Sequence, residues 1–258
     1  MASLTHAGLT FNAPLSDQRA DDLVRRLRIP ADATVVDLGC GWGELLLRIL
    51  AAGPAARGVG VDSAGPALDR GRMLARERGL ADRVTFVQHE ATTWHEPADI
   101  VVCVAASHAM GGTLAALTRC RRLVRPHGRV LIGEGFWSAP PSPEARKTFG
   151  DLPELPALVD LAVSAGLRPV YVGASTQDEW DAFESDWRAG LELAEEPEAR
   201  ALAAERREEY LRGYRGVLGF AWLVLAPEPG ALVSERSERT RRQSACAHDG
   251  AERSEVTA

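Results

Sequence analysis

The chain has 258 residues, of which 45% are hydrophobic, so it is long enough for one large α/β domain with an ordinary core. Its formal net charge is −6, and no stretch concentrates Lys and Arg into the cationic stripe that backbone phosphates demand, which argues against nucleic acid as a partner. Cys40, Cys103, Cys120 and Cys246 show no C-x-x-C spacing, no basic leader precedes an apolar run, and the longest apolar run (Val217 to Ala226) is too short to span a bilayer; the expectation is a cytoplasmic protein with no membrane partner.

In chain order, Phe11 to Leu15 predicts an anchored loop, because it offers apolar residues to pack, and residues 1–30 form an N-terminal cap segment. Ser16 opens a helix whose start is favoured by Asp17, Asp21 and Asp22, with Leu23, Val24 and Leu27 as its apolar stripe and Pro30 as its stop. From there strands and helices alternate. The expected strands are Thr34–Leu38, Gly58–Asp62, Val84–Gln88, Ile100–Val104, Val130–Glu134, Val170–Gly173 and Gly216–Leu225. The expected helices are Gly43–Ala52, Ala64–Arg78, Thr113–Val124, Pro153–Ala165 and a long region from Asp178 to Leu211 that Pro197 divides in two. This pattern predicts an α/β fold: a Rossmann-like, seven-stranded sheet, mostly parallel with the last strand antiparallel, helices on both faces, and a helical insertion (175–215) before the last strand. The domain is expected to close at Pro227. The segment 228–258 has no aromatics, six acids, five arginines and only three Leu or Val, and is expected to be a disordered tail.

The most informative stretch runs from Val35 to Glu44. An apolar, β-branched run ends in Asp37-x-Gly39-x-Gly41-x-Gly43, and a helical run follows at once. That reads as strand, tight glycine turn and helix, a turn that lets backbone approach a ligand closely past the carboxyl end of a central strand. Two ligand classes use such turns. The dinucleotide fingerprint G-x-G-x-x-G would put Glu44 at its last glycine, a carboxylate beside two phosphates. The D-x-G-x-G-x-G form instead resembles motif I of the class I S-adenosylmethionine-dependent methyltransferases.

The resemblance extends, at fold level, over roughly Thr34 to Pro227. It implies S-adenosylmethionine as the cofactor, with Asp37, Gly39, Gly41 and Gly43 around the turn. Asp62, which ends the second strand and is followed by Ser63, would accept both ribose hydroxyls, although it also stands where a helix N-cap would. Glu90, followed by Ala91, occupies the place of the family's adenine-binding Asp, one methylene longer. Val104 ends the fourth strand at the cofactor, and Leu123-Val124-Arg125-Pro126-His127-Gly128-Arg129-Val130-Leu131 is similar to a helix-turn-strand segment typical of the family. Gly133 to Trp137, followed by Pro140-Pro141, looks like the small-molecule methyltransferases of the ubiquinone-biosynthesis and cyclopropane-synthase-like groups.

The fourth strand runs into Ala105-Ala106-Ser107-His108 without Asn-Pro-Pro-Tyr, a following Asp or a double-glutamate motif. The implied reaction is therefore methyl transfer to O, N or C of a small molecule, with no metal site. His108, Glu134 and Tyr214 are the candidate proton acceptors, with Tyr210 beside the last. Trp180, Phe183 and Trp187 recur at helical spacing in the insertion, read chiefly as a core-facing stripe that also borders the expected substrate pocket. Two alternatives stay open at this stage: a nicotinamide-dependent Rossmann oxidoreductase, and a module that binds S-adenosylmethionine without chemistry. Nothing in the sequence speaks to oligomeric state.

Overall fold

The computed structural model describes residues 5, 6 and 8–229; all of the expected tail beyond Pro229 lies outside them. Helix α1 (Asp17–Leu27) begins where the Ser16 hydroxyl accepts from the Arg19 amide and turns Ala20, Leu23, Val24 and Leu27 inward. Strand β1 (Thr34–Leu38) follows, then helix α2 (Glu44–Ala52), β2 (Arg57–Asp62), α3 (Gly65–Glu77), β3 (Val84–Gln88) and β4 (Ala98–Val104). Next come α4 (Thr113–Leu123), β5 (Val124–Trp137), a short helix α5 (Pro143–Phe149), α6 (Leu155–Ser164) and β6 (Leu167–Ala174). The insertion is α7 (Gln177–Glu192) and α8 (Pro197–Glu208), closed by a π-turn over Glu209–Tyr214, and β7 (Leu218–Pro227) completes the sheet. Pro197 does divide the insertion, but as the first residue of α8, where its missing N–H costs nothing. Helix α5 escaped the sequence pattern; it is seven residues long and starts at a Ser142 cap, too short to show an apolar period.

The seven strands lie in the order β3-β2-β1-β4-β5-β7-β6. Pairs among β1 to β5 are parallel, and β7 is antiparallel to both β5 and β6, as the sequence pattern predicts. Because β7 sits between two strands and under helices on both faces, all ten of its residues are buried, and it reads as a continuous apolar run rather than an alternation. Successive residues still serve opposite layers. Phe220, Trp222 and Val224 pack with α1 and α2, while Ala221, Leu223 and Leu225 pack with α4 and α6. The chain reverses direction across the sheet between β1 and β4, which opens a crevice beyond their carboxyl ends. Among the described residues, no helix is long and apolar enough to cross a membrane.

The insertion is held by a buried charge cluster. Glu184 is wholly buried and accepts from Arg206 Nε and Nη2, each at 2.8 Å, and from the Tyr214 hydroxyl at 2.7 Å. A carboxylate can be buried only if such donors replace its water. The Tyr210 hydroxyl likewise donates to Asp181 at 2.6 Å. Trp180 is buried against Tyr214, while Phe183 and Trp187 are only half-buried.

Candidate active site

The turn after β1 places three glycines in the left-handed region: Gly39 at φ 73°, Gly41 at 56° and Gly43 at 68°. Each serves differently. A Cβ on Gly39 would lie 2.4 Å from the Cβ of Ala106, and one on Gly43 would lie 2.6 Å from the Phe86 ring. A Cβ on Gly41 would meet nothing within 4 Å, because this glycine faces open space. That space is a cavity of about 270 Å³ over the carboxyl ends of β1, β2 and β4. The cavity gathers Asp37, Gly39, Gly41, Asp62, Ser63, Glu90, Ala91, Val104 and His108, nine of the twelve residues that the sequence nominates for the site.

Gly43 is not in its wall. It N-caps α2 from behind the turn, and its want of a side chain is owed to Phe86 rather than to a ligand. Tyr214 requires a correction as well: its hydroxyl is committed to Glu184 inside the insertion, which pushes its pKa far up along with burial, and it does not line the cavity. Tyr210 is committed in the same way to Asp181. Glu134 stands behind the wall, on β5. It accepts from the Gly135 amide at 3.2 Å and from the Ser107 hydroxyl, and burial raises its pKa although these bonds and nearby His108 oppose the rise.

Two carboxylates dominate the floor. Asp62 Oδ2 accepts from the Gly41 amide at 2.7 Å and Oδ1 from the Ala64 amide at 2.8 Å. It thus ties the glycine turn to the start of α3, and each oxygen keeps a lone pair for a further donor. Asp37 is 4% exposed and accepts no hydrogen bond among the described residues. Burial, with Asp62 adding repulsion, raises its pKa to about 7. A buried, unpaired carboxylate of this kind is poised for a cation. Glu90 at the far end is exposed, with no side-chain partner among the described residues.

The sequence pattern missed several lining residues. Phe11, Asn12, Ala13 and Leu15 reach the cavity from the N-terminal segment, and Trp222 reaches it from β7. The first four were legible as an anchored loop but not its place of anchorage; Trp222 was hidden in an all-apolar strand. Ala105, also in the wall, holds φ at 53°, an unusual conformation for a non-glycine residue and one that turns the chain from β4 toward His108.

The donor set suits S-adenosylmethionine or its demethylated product. Gly41 leaves room for close approach, Asp62 can take two hydroxyls, Glu90 can take an amino group, and Asp37 offers negative charge to an ammonium or sulfonium. Comparison with known proteins agrees. Residues 35–128 match the family described as Methyltransferase domain. The chain is 28% identical over 180 residues to YjhP of Escherichia coli, covering 67% of this chain and 72% of that protein. It is 27% identical over 222 residues to trans-aconitate 2-methyltransferase of Azoarcus sp., covering 69% of this chain and 85% of that protein. Its fold matches the crystal structure of an S-adenosylmethionine-dependent methyltransferase from Geobacter sulfurreducens in complex with S-adenosylhomocysteine, with a TM-score of 0.79 and 26% identity over 88% of this chain and 97% of that one.

Proposed function

We propose that this chain, which belongs to the class I S-adenosylmethionine-dependent methyltransferases, methylates an O, N or C atom of a small molecule without the help of a metal ion. The observation that carries the cofactor's place is the cavity at the glycine turn, where Asp37, Asp62 and Glu90 converge on open space in front of Gly41. The nicotinamide alternative gives way to the methyltransferase match and to neighbours that hold S-adenosylhomocysteine; Glu44, which spoils the dinucleotide fingerprint, is engaged by Arg48 and Arg78.

When bound, the cofactor supplies an electrophilic methyl group on a sulfonium, so the protein's task is to position and desolvate the acceptor. In this reading Asp62 holds the ribose, Glu90 the adenine amino group and Asp37 the amino-acid ammonium, with Ser63, Ala91 and Val104 shaping the walls. His108 is the proton acceptor. It is exposed to the cavity at the end of β4, and the Ala105 turn directs the chain that carries it. Glu134, held by Ser107 and the Gly135 amide, stands close behind the imidazole. The reading needs no metal, because the methyl group arrives already activated on the sulfonium. No Lys or Arg lines the cavity among the described residues, so a polyanionic acceptor such as trans-aconitate is not carried over from the Azoarcus relative.

The test is a screen of small phenols, amines, thiols and carboxylates, scored by release of S-adenosylhomocysteine in EDTA. Turnover of a neutral or cationic acceptor that survives EDTA is expected. Turnover that is lost in EDTA and restored by magnesium would overturn the metal-independent reading.

A further inference from the structure

The N-terminal segment 8–15 supplies part of the cavity wall, and its attachment is unlike that of a passive loop. Phe11 and Ala13 are buried there, and with Asn12 and Leu15 they line the cavity itself. Beside the packing of Leu9, Phe11 and Ala13, the body of the domain holds the segment by its carbonyls. Trp42 Nε1 donates to the Thr10 carbonyl at 2.8 Å. Arg70, from α3, donates through Nη1 to the His6 carbonyl at 2.8 Å and through Nη2 to the Leu9 carbonyl at 2.6 Å. The Arg70 guanidinium also stacks 4.2 Å over the Trp42 ring. Among the described residues no carboxylate bonds to Arg70, and burial lowers its pKa. A half-buried guanidinium spent on two carbonyls and an indole costs desolvation without an ion pair in return, which is hard to explain as simple surface stability. Trp42 meanwhile belongs to the glycine turn and lines the cavity. One stack therefore joins the turn that faces the cofactor to the segment that supplies part of the cavity wall.

We propose that residues 8–15 are a strap over the cofactor, and that Arg70 is the positioning residue that clasps it to the glycine turn through Trp42. The inference rests on the cavity being the cofactor site. Seating the strap brings Phe11, Asn12 and Ala13 against the cofactor, and a bound cofactor in turn holds the strap down, since a ligand that contacts only the closed form must favour that form. Arg70 itself does not line the cavity, so it acts on affinity only through what it holds, the strap and the Trp42 ring, and the cleavage readout reports the strap separately.

Two readouts taken together test this: calorimetric titration with S-adenosylhomocysteine, and limited chymotrypsin digestion with the cut after Phe11 followed by mass spectrometry. In the wild-type protein S-adenosylhomocysteine slows that cut. In Arg70→Ala the cut is faster without ligand and the dissociation constant rises about tenfold, the worth of one or two lost hydrogen bonds. Arg70→Lys, which keeps a cation over Trp42 but cannot fork to both carbonyls, falls between them and serves if the alanine variant fails to fold. Arg76→Ala, exposed on the same helix, changes neither readout. A folded Arg70→Ala or Arg70→Lys with wild-type affinity, or with a wild-type cleavage rate after Phe11, overturns the clasp. Failure of the wild-type protein to bind S-adenosylhomocysteine would instead overturn the cofactor reading beneath it.

Discussion

Asp37 offers a sharp test, because the same burial that suits it to a cation makes it costly without one. In the unfolded chain its carboxyl titrates near 3.8, whereas in the folded protein burial and neighbouring Asp62 raise it to about 7. Between these values the folded state keeps a proton that the unfolded state has released. Its contribution to stability is therefore fully present below about pH 4 and is lost as pH rises toward 7. The gap sets a ceiling of ~4 kcal/mol, and water entry and local relaxation should leave roughly half of it. Asp37→Asn has nearly the same shape and no charge to bury. We expect it to match the wild-type melting temperature near pH 4 and to exceed it by roughly 4–8 °C at pH 8, using 2–4 °C per kcal/mol for a domain of this size. If Asp37 pairs with the ligand's ammonium as proposed, saturating S-adenosylhomocysteine should narrow or reverse that advantage, because the amide cannot replace the carboxylate there. The assay is thermal unfolding from pH 4 to 8.5, with and without ligand. Parallel melting curves for the two proteins across that range would refute the argument, since Asp37 would then titrate alike folded and unfolded.

Other substitutions probe other parts of the account. His108→Ala should keep cofactor affinity and lower turnover by ~10²–10⁴, measured at saturating acceptor once one is found; near-wild-type turnover would remove it as the proton acceptor. Glu184→Gln leaves the half-buried Arg206 without its counter-charge and should cost about 2–3 kcal/mol in chemical denaturation, with no direct effect on the cofactor cavity. A loss below ~1 kcal/mol would mean that the insertion is held by its aromatic contacts instead.

How far the sequence could be read depended on how local each signal was. The strand, glycine turn and helix around Asp37 to Gly43 declare themselves within ten residues, and Asp62 and Glu90 are found by counting strands, so nine nominated residues do meet in one cavity. What failed was long-range. Tyr214 was nominated because it ends the insertion, but its hydroxyl is claimed by Glu184, thirty residues earlier, and no local pattern announces that pairing. Glu134 lies on β5, no residue of which lines the cavity, and its carboxylate is taken up by the Gly135 amide and the Ser107 hydroxyl. The strap illustrates the same limit from the other side. Phe11 to Leu15 was recognisable as a segment that must pack, yet its clasp, Arg70, lies 61 residues from the Leu9 carbonyl that it holds and sits in a charged helix like any solvated arginine. Gly43 shows that even a motif residue can be retained for packing, here against Phe86, rather than for the ligand.

The central claim is that the cavity at the glycine turn holds the cofactor, and calorimetric titration of S-adenosylhomocysteine into wild type and Asp62→Ala tests it most directly. Asp62 holds the Gly41 amide and is free to accept two more donors, so its loss should weaken binding by about 1.5–3 kcal/mol, a rise in dissociation constant of roughly 10- to 150-fold. A folded Asp62→Ala protein that binds S-adenosylhomocysteine as tightly as wild type would place the cofactor elsewhere.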